Sequence, residues 1–192
     1  MEYETVKLTT KRLTLDKGKT EDFLKVYQYD FKKLKNIDGQ CVLVPQDLDK
    51  IKSLFAGGMK NYYNKIKKAH MFDWIVYLND YAIGNILTID ENEEEKLIEL
   101  EFNLHPSYWG SGYMPEAVCE VIEYLFGIGY DNIVCSYLDG DTKSKRVIEK
   151  LGFKPYQILQ DGYKSEKGNL IDIYKTIITK EDWFSRTSKI KL

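Results

Sequence analysis

The stretch that most constrains this 192-residue chain runs Leu97-Ile98-Glu99-Leu100-Glu101-Phe102-Asn103-Leu104-His105-Pro106-Ser107-Tyr108-Trp109-Gly110-Ser111-Gly112-Tyr113-Met114-Pro115-Glu116-Ala117. Ile98, Leu100, Phe102 and Leu104 alternate with Glu99, Glu101 and Asn103. That alternation predicts a strand with one apolar and one polar face. Gly110 and Gly112 follow in a loop, and a helix is expected to open at Pro115, where a missing N–H costs nothing. A glycine turn entering a helix presents free backbone N–H groups at the positive end of the helix dipole. Such a turn binds anions, most often phosphate. The stretch lacks the Gly-Lys-Ser/Thr ending of a P-loop, and the Gly-x-Gly-x-x-Gly dinucleotide fingerprint fails at Pro115. Taken alone, the turn also fits an ordinary strand-to-helix connection.

Length and composition bound the rest. The chain fits a single domain over residues 1–192 with a substantial core. A hydrophobic content of 43% with 30% charged residues is ordinary for a globular protein. The formal net charge of -2 argues against a nucleic-acid partner, which would select a basic excess. No apolar run approaches the ~20 residues of a membrane span, and the charged start Met1-Glu2-Tyr3-Glu4 does not read as a signal peptide. Cys41, Cys119 and Cys135 are odd in number and far apart, as expected of reduced thiols in a cytoplasmic protein. With only His70 and His105 and no close cysteine pair, no metal site is expected.

In chain order, Val6 to Leu15 reads as a first strand, and Thr20 as the cap of a helix over Glu21 to Tyr29. Gly39 and Pro45 bound a loop, and Asp47 starts a helix towards Lys68, interrupted at Gly57-Gly58. Phe72 to Leu78 and Tyr81 to Ile89 are strands joined by a tight Asn79-Asp80 turn, with an acidic loop Asp90 to Glu95 before the central strand. Ala117, Val118, Val121, Ile122 and Leu125 form a helical stripe ended by Gly127 or Gly129. A strand Ile133 to Tyr137, a helix Asp141 to Leu151 and a hairpin Phe153–Leu159/Leu170–Ile178 across the loop Asp161 to Asn169 complete the pattern. Thr179-Lys180-Glu181-Asp182 opens a terminal helix. The order gives an α+β fold around one mixed, mostly antiparallel sheet flanked by helices.

Tyr108-Trp109-Gly110-Ser111-Gly112-Tyr113-Met114-Pro115-Glu116-Ala117 resembles the acetyl-CoA loop of the GNAT N-acetyltransferases, within them the RimJ/RimL branch. Ser144-Lys145-Arg146-Val147-Ile148-Glu149-Lys150-Leu151-Gly152-Phe153 resembles that branch's Ser-x-x-x-x-x-Lys-Leu-Gly-Phe segment, in the matching order. The resemblance covers roughly Val6 to Lys180 and thins out between Phe31 and Met71. It implies a V-shaped splay between the central strand and the strand after the loop helix, with acetyl-CoA as co-substrate lying in the V and no metal.

On that resemblance, Trp109, Gly110, Ser111, Gly112, Tyr113 and Met114 would cradle the pyrophosphate, and Phe102, Asn103 and Leu104 would pair with the pantetheine arm. The Leu104 N–H would face the thioester oxygen. Trp109 departs from the family's Gln/Arg, though the RimJ/RimL branch commonly has Trp there, and Met114 departs from the family's small residue. Asp141 stands where the family has an asparagine that contacts the cofactor; as a helix N-cap it has a sufficient structural use as well. Ser144 matches a serine proposed to return a proton to the thiolate. The tyrosine that does so in other members would fall on Ile148. Lys143, Lys145, Arg146 and Lys150 would flank the phosphates or form a solvated basic face.

Glu99 stands where the branch usually has a glutamate, so the resemblance makes it the expected general base, while two exposed glutamates on a half-buried sheet remain the alternative. Glu99 shares a strand face with Glu101, a like-charged neighbour whose presence raises a carboxyl pKa towards working pH. His105 is the other candidate base, and Cys119 suits packing better than nucleophilic attack. The reading is an acetyl-CoA-dependent N-acetyltransferase acting on a primary amine (a protein N-terminus or a small amine) in a ternary complex, without nucleic-acid or membrane partners, as a monomer or homodimer. The acidic strand face favours an acceptor that is cationic at rest. The competing reading is a catalytically silent acyl-CoA-binding sensor or interaction module of the same fold.

Overall fold

The computed structural model describes residues 4–26, 72–165 and 168–190. The helix expected from Asp47 to Lys68, the loop at Gly39 and Pro45, Tyr29, Cys41 and His70 lie outside these residues. The predicted first strand is a short hairpin instead, β1 (Leu8–Thr9) and β2 (Thr14–Lys17). The Thr10 N–H donates to the Leu13 carbonyl at 2.9 Å, and the Thr10 hydroxyl accepts from the Leu13 N–H at 2.9 Å, closing the turn. Helix α1 (Thr20–Val26) is followed in the described residues by β3 (Asp73–Leu78) and β4 (Tyr81–Asn92). Asn79 and Asp80 both adopt positive φ, 48° and 66°, as a two-residue hairpin turn requires. Strand β4 continues through the first part of the acidic run to Asn92, with a register shift between Thr88 and Asp90.

Strand β5 (Leu97–Leu104) matches the predicted central strand. A 3-10 turn over Pro106–Tyr108 leads to helix α2 (Tyr113–Ile128), which opens two residues before Pro115. The left-handed Gly112 (φ 77°) sets the start, and Pro115 falls in the first turn, where its missing N–H still has no intrahelical use. Gly129 (φ 118°) ends the helix, and Gly127 lies inside it. Then come β6 (Asn132–Leu138), α3 (Thr142–Leu151), β7 (Lys154–Lys164), β8 (Leu170–Thr179) and α4 (Lys180–Ile190). Strand β7 runs past the predicted end at Leu159. A register shift between Leu159 and Tyr163 accommodates Asp161 at φ 52°, whose N–H donates to Asp172 at 2.8 Å. Thr179 caps α4, accepting from the Asp182 N–H at 3.1 Å.

Among the described residues the strands form one eight-stranded sheet in the order β1-β2-β3-β4-β5-β6-β8-β7. All neighbours are antiparallel except β5 and β6, whose parallel pairing needs the crossover that α2 supplies. The apolar stripe of α2 (Ala117, Val118, Val121, Ile122, Leu125, Phe126) packs in one core with Ile98, Leu100, Leu104, Ile133 and Cys135. Ile148 and Leu151 of α3 and Trp183 of α4 join it. The opposite parity sends Glu99, Glu101 and Asn103 to the other face of β5.

The β5–β6 ladder covers only Leu97↔Asn132 to Leu100↔Cys135. Beyond it, β5 stays with β4 as far as Leu104↔Gly84, while β6 stays with β8 as far as Leu138↔Ile173. The two strands therefore part at mid-sheet, giving the V-shaped splay. No helix of the described residues is long and apolar enough to cross a membrane. Truncating the fully buried Ile122 should cost about 2–5 kcal/mol. Urea denaturation of Ile122→Ala checks this, and a loss below 1 kcal/mol would contradict the assigned core.

Candidate functional site

The site begins where the β5–β6 ladder stops. The His105 N–H donates to the Ile83 carbonyl of β4 at 2.8 Å. Strand alternation then turns the N–H and C=O groups of Leu104 and Phe102 away from β4, into the gap. One of these is capped, since the Trp109 indole N–H donates to the Leu104 carbonyl at 2.7 Å. The strand end is left facing the gap with its donors.

The loop after β5 supplies a second set of donors. Gly110 (φ 79°) and Gly112 (φ 77°) bend the chain so that α2 starts without a side-chain cap on Gly112. The first-turn amides of a helix have no intrahelical acceptor. The Met114 side chain is buried, and its terminal methyl lies 3.2 Å from where a Cβ on Gly84 would stand. It points into the core, so its size does not block the loop backbone. Two cations flank the loop. Lys143 Nζ sits 3.6 Å above the Trp109 ring, and Arg12 Nη1 donates to the Ser111 carbonyl at 3.0 Å.

On the polar face of β5 the two glutamates occupy different environments. Glu99 is buried and doubly held: Lys175 of β8 donates to Oε2 at 2.6 Å and the Ser136 hydroxyl of β6 to Oε1 at 2.5 Å. Glu101, next along the same face, has a buried Oε2 with no hydrogen-bond partner among the described residues. Burial, with the Glu99 charge adding to it, pushes the Glu101 carboxyl up to about 8. Asn103, two residues further, has a buried Nδ2 that is also without a hydrogen-bond partner. The face read from sequence as uncompensated acid thus contains one ion pair, at Glu99, and one carboxyl, Glu101, whose Oε2 has no hydrogen-bond partner among the described residues.

Asp141 caps α3, its Oδ1 accepting from the Lys143 N–H at 3.2 Å and the Ser144 N–H at 3.0 Å. That is the structural use recognised from sequence. Ser144 is half-buried in the first turn of α3, and Ile148 is core. Burial lowers the Lys143 pKa, against the opposing pull of Asp141. Tyr113 packs edge-on with Tyr108 and stacks on Arg12. His105 uses Nδ1 to accept from the Ser107 N–H at 3.2 Å, capping the 3-10 turn. Cys119 packs beside the core, its thiol pushed up to about 11 by burial and the Glu123 and Glu120 charges. Among the described residues no group of three or more His, Cys, Asp or Glu is placed to hold a metal.

Sequence reasoning missed Lys175, Ser136 and Arg12. Each reaches the site from an element remote in the chain, and strand alternation alone carried no signal for them.

The sequence matches the acetyltransferase (GNAT) domain family over residues 12–154. The uncharacterized N-acetyltransferase p20 of Bacillus licheniformis is 30% identical over 181 residues, covering 92% of this chain and 97% of that protein. Among solved structures, the fold resembles the ribosomal-protein-S5-alanine acetyltransferase of Vibrio fischeri (TM-score 0.69, 17% identity, 93% of this chain and 98% of that one). It likewise resembles Mycobacterium smegmatis RimJ in complex with CoA-disulfide (TM-score 0.69, 15% identity, 88% and 83%).

The Glu99–Lys175 contact yields a stability prediction. Breaking a buried pair by removing one partner costs about 3–5 kcal/mol when both are fully buried. Lys175 retains 22% side-chain exposure, which puts Lys175→Met nearer about 2–3 kcal/mol. Adding Glu99→Gln to Lys175→Met should recover most of that loss in denaturant unfolding. A double variant no more stable than Lys175→Met would show that the pair does not set the cost.

Proposed function

This chain belongs to the GNAT acetyltransferases, in the neighbourhood of the RimJ/RimL branch, and from that premise we propose that it transfers the acetyl group of acetyl-CoA to a primary amine by direct attack in a ternary complex. The observation that carries the reading is the buried Oε2 of Glu101, without a hydrogen-bond partner among the described residues, on the stretch of β5 where the ladder with β6 has ended. A base belongs at that position, beside a gap lined with backbone donors.

In this reading the loop amides from Ser111 to Met114 and the flanking Lys143 hold the pyrophosphate of the donor. Phe102, Asn103 and Leu104 pair with its pantetheine arm, and Trp109 and Gly110 shape the entry. Glu101 removes the ammonium proton of the acceptor. The amine nitrogen then attacks the thioester carbonyl carbon, the developing oxyanion is met by the Leu104 N–H, and the C–S bond breaks. Ser144, at the α3 turn that Asp141 orients, gives its hydroxyl proton to the departing thiolate and recovers one from the nitrogen, which sheds its second proton as the amide forms. Glu99 keeps its place at the site as a supporting group, because both its oxygens are engaged.

The acceptor is an amine whose ammonium form pairs with Glu101 once that carboxyl is ionised, and Asn103 Nδ2 is a donor for an oxygen beside that amine. The ribosomal-protein-S5-alanine enzyme supplies a precedent for a protein acceptor, and a small amine satisfies the same two groups. A silent acyl-CoA sensor has no use for a carboxyl whose Oε2 is buried without a hydrogen-bond partner among the described residues.

Two measurements test this. Gly112 holds a left-handed φ of 77°, so Gly112→Val strains the turn and adds a branched side chain to it. Calorimetric CoA affinity should fall at least tenfold, about 1.4 kcal/mol. Unchanged affinity in a folded variant would move the phosphate site elsewhere.

For the base, an alkylamine acceptor with a pKa near ~10.4 keeps its own titration clear of the enzyme's. The carboxyl must be ionised to act, so the kcat/KM profile should rise through about pH 8 and level off above it. Glu101→Gln should abolish that limb and lower kcat roughly 10²-fold. A Glu101→Gln enzyme that retains both the limb and the rate would return the role to Glu99 or His105.

A further inference from the structure

Arg12 sits in the turn between β1 and β2, about a hundred residues before the loop it touches, and its guanidinium is fixed on several sides. Nε donates to Glu116 Oε2 at 2.7 Å, Nη1 to the Ser111 carbonyl at 3.0 Å, and the group lies 4.5 Å over the Tyr113 ring. Glu116 also accepts from the Arg12 N–H at 3.0 Å and from the Thr10 hydroxyl at 2.5 Å. Burial would raise the Glu116 pKa, but the hydrogen bonds from Thr10 and Arg12 outweigh it and hold the carboxyl below its ordinary value. Glu116 is therefore charged, and it stands in the first turn of α2.

Two consequences follow for the loop. In a trans peptide the carbonyl and the next N–H point in opposite directions. Drawing the Ser111 carbonyl towards Arg12 therefore turns the Gly112 N–H the other way. Charge acts in the same sense. An unpaired carboxylate in the first turn would oppose a phosphate at the same helix end, and the Arg12 cation cancels it. Nη2 lies 3.6 Å from the position a Cβ on Gly112 would take, so the guanidinium also walls the turn.

We propose that Arg12 is a positioning residue that holds the loop from Gly110 to Tyr113 in its anion-binding form, and so sets the preference for a thioester donor that carries a pyrophosphate. This rests on the acetyl-CoA reading above. Arg12 does not need to touch the donor, since Nε and Nη1 are committed to Glu116 and Ser111. Lysine cannot replace it, because a single ammonium lacks the planar fork that spans a carboxylate and a carbonyl together.

The test compares acetyl-CoA with S-acetylpantetheine, which has the same thioester without pyrophosphate or nucleotide. In Arg12→Gln and Arg12→Lys, the ratio of kcat/KM for acetyl-CoA to that for S-acetylpantetheine should fall at least tenfold from wild type. The acetyl-CoA loss should appear in KM. Calorimetric CoA affinity should fall in parallel, which gives a readout independent of the acceptor. Arg12→Lys keeps the charge and serves where Arg12→Gln does not fold. A folded variant that slows both donors by the same factor, or keeps the wild-type ratio, overturns the proposal. Wild-type protein that binds no CoA overturns the reading beneath it, and this inference with it.

Discussion

The parallel ladder between β5 and β6 is four residue pairs long, and the rest of the site depends on its early end. Buried backbone groups must find partners. A strand that loses its neighbour at mid-sheet therefore exposes a row of donors and acceptors to whatever enters the gap. Here the row is made asymmetric. The Trp109 indole takes the Leu104 carbonyl, so the strand end offers N–H groups more than C=O groups. A gap biased towards donors suits an electron-rich oxygen, which is what acyl transfer generates. The same tryptophan carries Lys143 over its ring and links the end of β5 to the start of α3 across the mouth of the V.

The second organising constraint is electrostatic. Glu99 and Glu101 lie on one strand face with backbones about 7 Å apart, and each is relieved of its charge problem differently. Glu99 has Lys175 and Ser136. Glu101 has neither, and burial beside a carboxylate raises its affinity for a proton until it titrates at about 8. Two identical side chains thereby stand in different environments, one in a fixed pair at the narrow end of the V and one with a raised affinity for a proton. A single lysine, placed opposite Ser136 by the β6–β8 register, makes the distinction.

Much of this was legible in the chain. The limits of β5, the Asn79-Asp80 turn, the glycine loop and the Asp141 cap follow from alternation, turn chemistry and capping, all local. The helix start was misplaced by two residues because Pro115 was given the first position, whereas the left-handed Gly112 had already bent the chain. The split of the first strand turned on a threonine bonding to its own turn. The Glu99–Lys175 contact was invisible for a different reason. It requires β8 to lie next to β6, with β7 outside, an order that no local pattern encodes. Arg12 and Glu116 meet across 104 residues on the same account.

The departures of this chain from the family loop look different once their side chains are placed. Met114 is turned into the core against Gly84 and Leu104, so it thickens the packing beneath the loop rather than its binding surface. Asp141 spends its oxygen on two amides of α3 and holds the turn that carries Ser144. Glu101 poses a different question. A buried polar atom without a partner costs about 1–3 kcal/mol, and an apolar or amide residue there would be cheaper for a module that only bound its ligand. Perturbed carboxyls of this kind gather where protons are moved. The cost is intelligible if an acceptor amine completes the hydrogen bond that Glu101 Oε2 lacks among the described residues.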